Sequence, residues 1–286
     1  FSNSASGTDM KYKIETANQS YTAGAALGQD SSSSAHPMSA VWNGAAAPTF
    51  ANVITTTKSK FGGYAFQAGT GPVNQQSYIE TPITTSPEDF AFGIADFTAE
   101  FWFYGNTFGT DSAGQPLINN RSTLPYTNSH GVWAILMRSG VIGFESGNNN
   151  VIVNCGGSFG TANTMPENAW THVAVTSTTR VCKIWVNGVE KASGTNTIDL
   201  DGLNSNGIAG RFLVAHDSAA PNMSYLTHGY IDEVRISNIA RYSATFTPPT
   251  AAFTSDANTK LLLHMNAGAE SGKQTKIHAT SLAWKA

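Results

Sequence analysis

The sequence predicts an all-β protein, a sandwich or barrel of antiparallel sheets, on three observations. Short β-type runs alternate with turn residues from Tyr64 onward, and many short strands at such spacing argue against βαβ units. Ser139-Gly140 in MRSGVIGF and Asn187-Gly188 in WVNGVE each separate two apolar runs and supply the positive φ angles that a two-residue hairpin turn demands. Only 12% of residues are charged and 27 are glycine, against a usual charged share of about 25%; a turn-rich polar β protein has such a composition.

In chain order, residues 1–60 are rich in Ser, Ala, Thr and Gly and read as loops, with one strand expected at MKYKIE. Strands are then expected at YAFQ, SYIET, FTAEFWFY, QPLINN, GVWAILMR, VIGFES, VIVNC, WTHVAVTS, VCKIWVNGV, RFLVAH, YIDEVRIS and KLLLHMN. Alternation divides each strand into faces. Phe97, Ala99, Phe101 and Phe103 belong to the core, with Glu100, Trp102 and Tyr104 opposite them. Val173 and Val175 point inward and His172 and Ala174 outward. Cys182 shares the inner face with Ile184 and Val186, and Lys183, Trp185 and Asn187 take the other. By the same rule Asp232 falls on the face of Val234 and Ile236, and Glu233 and Arg235 on that of Ile231.

Bulk properties exclude several functions. The net charge is −3 and the pI about 6.2, with no Lys/Arg cluster to track phosphates, so nucleic acid is not an expected partner. No apolar run approaches the roughly 18 residues that span a bilayer, so no membrane insertion is expected. The start, FSNSASGTDM, lacks the regions of a signal peptide and an initiator Met, and reads as processed or trimmed. Two cysteines, Cys155 and Cys182, are too few for a disulfide framework or a four-cysteine zinc site; a single bridge and two free thiols both remain open. No nucleophile elbow, phosphate loop, dinucleotide fingerprint or His-Glu-x-x-His spacing occurs. Asn-x-Ser sequons stand at Asn18, Asn120 and Asn222.

Four segments, SKFGGYAFQAG, IADFTAEFWFY, WTHVAVTSTTRVCKIWVNGVE and GYIDEVRISNIARYSATFTPPTAAF, in that order, resemble the laminin-G-like branch of the concanavalin A-like lectin and glucanase superfamily. The resemblance covers roughly residues 30–253 and implies a jelly-roll β-sandwich of two antiparallel sheets. It divides the chain into a loop-rich extension (1–29), the jelly-roll domain (30–253) and a C-terminal strand and tail (254–286) that packs on the same domain or on a neighbouring chain. The wording ARYSATFTPPTAAFTSDANTKLLLHMN is similar to modules of bacteriophage virion proteins, often in tandem, in which LLLH opens the next copy. Only 26 residues remain from Leu261 to the end, too few for a second module, so pairing within the domain is the favoured expectation for this strand.

Glucan-cleaving members of the superfamily resemble one another in a Glu-x-Asp-x-x-Glu strand that has no counterpart here. Asp232 and Glu233 are sequence neighbours and point apart, whereas a retaining glycosidase holds two carboxyl groups about 5 Å apart. A non-enzymatic module is therefore expected. Asp232 is read either as capping a nearby loop or, by the resemblance, as a ligand of Ca2+ together with Asp30 in QDSSSS; Asn266 stands where the family's opening strand often ends in aspartate. Glu233 and Arg235 are expected to fix the sheet, pairing with each other or with Glu100 and His172. Trp102, Trp133, Trp170 and Trp185 are the sugar-stacking candidates, and strand-centre tryptophans are usually packing. Trp133 after TNSHG, Tyr225 in PNMSYLTHG, and His216 with Asp217 in VAHDSAAPN are the expected ligand contacts, because binding loops sit at sandwich ends. The resulting expectation is a binding or adhesion module on a virion or outside a cell. Its expected partners are a glycan or cell-surface polysaccharide, neighbouring virion or assembly subunits, and further copies of itself; the alternatives are a purely structural assembly protein and, less favoured, a glycan hydrolase.

Overall fold

The structure is a computed structural model that describes residues 30–43, 54–68, 76–81, 89–106, 108, 114–121, 131–147, 150–155, 165–203, 206–207, 209–216 and 229–266. Two antiparallel sheets face each other. One has the order β1 (Ser39–Asn43), β4 (Gln76–Glu80), β13 (Leu213–Val214), β6 (Gln115–Asn119), β7 (Trp133–Arg138), β8 (Val141–Ser146), β9 (Asn150–Asn154). The other runs β12 (Val189–Thr195), β11 (Val181–Val186), β10 (Trp170–Thr178), β5 (Phe97–Gly105), β14 (Gly229–Ser237), β3 (Ala65–Ala68), β2 (Ile54–Thr55). A further strand, β15 (Thr259–Leu263), also pairs with β14. The segment MKYKIE lies outside the described residues.

The inward sets read from alternation in β5, β10 and β11 all lie in one core cluster, which also holds Trp133, Ile135 and Met137 of β7. Phe92 stacks on Phe97 at 3.9 Å and on Trp133 at 4.8 Å, joining the two sheets through aromatic faces. Ser139-Gly140 and Asn187-Gly188 both have positive φ and close the hairpins β7–β8 and β11–β12. Gly188 is needed twice over, because a Cβ there would also collide with the Phe246 carbonyl. A third tight turn, Thr179-Arg180 between β10 and β11, has positive φ without glycine. Contacts from outside the turn hold it: the Thr179 N–H donates to Asp96, and the Arg180 guanidinium donates to the carbonyls of Asn196 and Ile198. Cys155 and Cys182 are free thiols.

One face assignment is corrected. β14 carries a bulge: Asp232 pairs with Trp102 and Arg235 with Glu100, so two residues oppose Phe101 alone, and Glu233 has φ 53°. The extra residue shifts the alternation. Ile231, Val234 and Ile236 enter the core, while Asp232 and Arg235 share the outer face with Trp102 and Glu100. The bulge also divides the far edge of β14. Residues Gly229–Ile231 pair with β3 and Val234–Ser237 with β15, so the C-terminal strand completes its own sheet.

Candidate functional site

The outer face of the larger sheet carries a buried polar cluster. Glu100, fully buried on β5, accepts from Arg235 Nε at 2.8 Å and Nη2 at 2.7 Å, accepts from the Tyr242 hydroxyl at 2.7 Å, and faces His172 Nε2 at 3.1 Å. Burial alone would raise its pKa, but the His172 hydrogen bond, the Arg235 and His172 charges and the Tyr242 hydroxyl hold the carboxyl below its ordinary range. Residues 238–256 form a strap over this cluster. Phe246 lies on Trp185 and Phe253 on Arg235, and Tyr242 stacks on Phe246 at 3.6 Å. Arg241 clamps the strap by a two-pronged pair with Asp256 at 2.9 and 2.8 Å, which holds the Asp256 carboxyl well below its usual range. Arg235 and His172 thus join Glu100; Glu233 does not. Glu233 accepts the Phe253 N–H at 2.7 Å and faces His264 Nδ1 at 2.8 Å, a hydrogen bond that raises the His264 pKa.

The two candidate calcium ligands are engaged by hydrogen-bond donors, all but the Ser32 hydroxyl being nitrogen. Asp30 bridges Leu263 and accepts from the Ser32, His36 and Leu262 amides, the Ser32 hydroxyl and the His36 ring. Asp232 accepts from the amides of Lys60, Phe61 and Glu233 at 2.8, 3.1 and 2.9 Å; burial nonetheless pushes its pKa up to about 7. The loop-capping geometry is therefore present. N–H groups repel a cation, and among the described residues no three His, Cys, Asp or Glu converge to hold a metal ion, so these residues do not fit Ca2+.

Trp133, expected at the rim, is instead a core residue. It is fully buried, donates its indole N–H to the Phe90 carbonyl at 2.8 Å, and packs on Phe92 and Phe144. The alternation of β7 sends it inward with Ile135 and Met137, and adjacency to a loop in sequence does not override that. His216 is buried and stacks on Tyr78 at 4.0 Å, beside the Glu80–Arg211 pair at 2.8 Å. Asp217 and Tyr225 lie outside the described residues. The sequon residue Asn120 is buried, bonded to Phe90 and to the Trp133 amide.

A row of aromatics lies on the outer face at one end of the larger sheet, with Tyr230 buried and the other two rings half-buried. Trp170, Tyr104 and Tyr230 are direct cross-strand partners on β10, β5 and β14, and Gln67 of β3 follows Tyr230. Tyr104 meets Trp170 edge-on at 5.7 Å and Tyr230 at 5.9 Å. Trp170, Tyr104 and Gln67 are half-buried; Trp102, Trp133 and Trp185 are buried. Lys58 Nζ lies 4.7 Å from the Tyr104 ring centre, and Lys60 Nζ 3.9 Å from that of Trp102. Alternation alone places Tyr104 on the outer face, but only tertiary structure brings Tyr230, Gln67 and the two lysines to it.

A sequence profile described as the concanavalin A-like lectin/glucanases superfamily, of laminin-G type, matches residues 73–245. The chain belongs to this superfamily. In this concanavalin A-like domain the matched region takes in Glu100, His172, Arg235 and Tyr242, and it ends before Phe246, Phe253 and β15, which complete the strap and the sheet. No match is found among curated proteins. Among solved structures the domain is similar to a Bacteroides ovatus ATCC 8483 protein provisionally described as carbohydrate binding, with 18% identity, TM-score 0.49, and coverage of 73% of this chain and 53% of that one. It is also similar to domain 4 of a Geobacillus stearothermophilus extracellular arabinanase in complex with arabinotriose (17%, TM-score 0.46, 75% and 93%). A third likeness is to the binding domain of botulinum neurotoxin DC in complex with rat synaptotagmin II (14%, TM-score 0.47, 75% and 46%). The chain thus spans about half the length of the first and third. At these TM-scores the likenesses assign no ligand.

Proposed function

We propose that this domain is a non-catalytic glycan-binding module displayed outside a cell or on a virion surface. The row Trp170–Tyr104–Tyr230, of which Trp170 and Tyr104 are half-exposed and Tyr230 is buried, flanked by half-exposed Gln67, carries the reading. The half-exposed Trp170 ring offers its face to the C–H face of a pyranose, and the amide of Gln67 along the row offers hydrogen bonds. The buried acids among the described residues are otherwise engaged: Glu100 with Arg235, Glu145 with Arg138 and Arg121, Glu80 with Arg211, Glu233 with His264 and the Phe253 amide, and Asp30 and Asp232 with backbone amides. A hydrolase would instead hold two carboxyl groups free on either side of a sugar. Virion display, contacts with neighbouring subunits and self-association rest on the resemblance of residues 240–266 to phage modules; many copies would amplify weak single-site binding.

The test is calorimetry of the full chain and its Trp170→Ala variant against a glycan panel, with reducing ends assayed on laminarin, agar and alginate. Loss of one stacking face lowers affinity by about 10-fold or more, with the melting temperature nearly unchanged and no reducing ends released. A chain silent on every glycan but built into a particle is a structural assembly protein, and the glycan reading is then withdrawn.

A further inference from the structure

We infer that the aromatic row takes a negatively charged sugar, a pyranose bearing a carboxylate, with Lys58 and Lys60 as the charge-selecting residues. The inference rests on the glycan-binding reading and adds the class of sugar. Both lysines are half-buried and hold their ammonium groups over ring faces, Lys58 over Tyr104 and Lys60 over Trp102 and Phe61. Neither forms an ion pair within 4 Å with a carboxylate of the described residues.

The acids in the neighbourhood make no direct pair with either lysine, although the Asp232 charge is felt by Lys60. Asp232 turns its oxygens to the amides of Lys60, Phe61 and Glu233; Glu233 is held by Phe253 and His264; Glu167 accepts the Phe108 amide. A ring face satisfies one side of an ammonium group, and the remaining N–H donors are left for a ligand anion. Trp102, on the same sheet face and only 4% exposed, has an indole N–H with no hydrogen-bond partner, an unusual state for a buried donor.

The dimensions suit a short segment of chain. Three adjacent strands place Trp170 and Tyr230 about 10 Å apart, so a sugar on the open Trp170 face can extend across Tyr104 toward both lysines. Because Lys58 already covers Tyr104, a ligand that carries its own anion converts that lysine from an obstacle into a partner. A neutral sugar must displace it.

The experiment compares matched acidic and neutral ligands on the full chain: trigalacturonate against its methyl ester, and sialyllactose against lactose. Binding of one acidic ligand only identifies the source of the carboxylate. Two surface ion pairs favour the acidic member by about 5- to 10-fold at low salt. The preference shrinks toward about 2-fold at about 300 mM salt. The Lys58→Gln/Lys60→Gln variant loses the preference through weaker acidic-sugar binding, and its neutral-sugar affinity, relieved of displacing Lys58 from Tyr104, does not fall. Equal binding of acidic and neutral members, or a preference that survives the double substitution, overturns the inference and leaves the glycan reading standing. Failure of all four ligands and of a wider panel sinks the glycan reading itself.

Discussion

Glu100→Gln removes the charge around which the strap is built, and its cost follows from the bonds made there. Glu100 is the sole carboxylate paired with the Arg235 guanidinium among the described residues; the other neighbours of Arg235 include the Tyr242 hydroxyl, the Thr254 carbonyl at 3.4 Å and the Phe253 ring at 4.2 Å. The amide of glutamine turns one N–H toward either Arg235 or the Tyr242 hydroxyl and leaves a nearly buried cation unpaired. Breaking a buried pair on one side costs about 3–5 kcal/mol, which in a domain of this size lowers the melting temperature by about 10 °C. Urea unfolding at neutral pH measures the loss, and hydrogen exchange locates it: amides of 238–256 exchange faster before those of β7 and β8. Adding Arg235→Met removes the orphaned cation and recovers about 2 kcal/mol or more. The folded carboxyl titrates below its ordinary 4.5. Its stabilisation is therefore complete above that value and is lost as pH falls through the lower folded pKa, an acid limb that the variant lacks. A cost under about 1 kcal/mol, or a double variant as unstable as the sum of its singles, would show that the cluster does not hold the strap.

Asp232 gives the opposite sign. Its folded pKa is raised from 3.8 to about 7, so its contribution is fully present below pH 3.8 and falls away as pH rises through 7, by on the order of 4 kcal/mol. In Asp232→Asn the slope across that window disappears, and an unchanged slope in pH-dependent melts refutes the assignment. Trp133→Ala empties a fully buried site and costs about 3–5 kcal/mol by urea unfolding; loss of sugar affinity with stability unchanged would return Trp133 to the rim. Burial pushes the Cys155 and Cys182 thiols up to about 12 and 11, so both react with a thiol reagent at pH 7.5 at least about 100-fold more slowly than a free peptide cysteine, and rapid labelling of the native chain contradicts this. Calcium at about 5 mM shifts the melting temperature by under about 1 °C, because the Asp30 and Asp232 carboxyls are taken up by N–H donors and the Ser32 hydroxyl; a larger rise would place a cation site on the domain.

Much of the fold is legible in the sequence because alternation is a local property. Phe97 to Phe103, Val173 with Val175, and Cys182 to Val186 sort into faces by period two alone, and Ser139-Gly140 and Asn187-Gly188 announce their hairpins through residues that tolerate positive φ. Thr179-Arg180 makes the same kind of turn with no such residue, since its conformation is maintained by Asp96, Asn196 and Ile198. No scan of neighbours along the chain detects that. Trp133 was readable by period two and is misplaced only by giving loop adjacency more weight than the strand's own pattern. The candidate site is less legible, for it is a row across strands: Trp170, Tyr104, Tyr230 and Gln67 come from four separate segments.

The acidic pair of the GYIDEVRIS strand shows how one extra residue changes the meaning of a motif. In a regular strand Asp232 would point into the core and carry an unpaid desolvation cost; with the bulge at Glu233 it reaches the outer face and meets the 60–61 backbone instead. That contact fixes the loop from which Lys60 extends over Trp102, so Asp232 positions one lysine of the proposed sugar site without touching a ligand. Glu233, displaced by the same bulge, secures Phe253 of the strap and His264 after β15, at the point where β14 exchanges one neighbouring strand for another. Two adjacent carboxylates therefore hold two different loops, which is what their divergent directions permit. Deleting Glu233 tests this: without the extra residue regular alternation keeps Ile231 and Val234 inward and Asp232 outward, so the 60–61 contact and acidic-sugar binding should persist, while loss of the Phe253 and His264 contacts should loosen the strap.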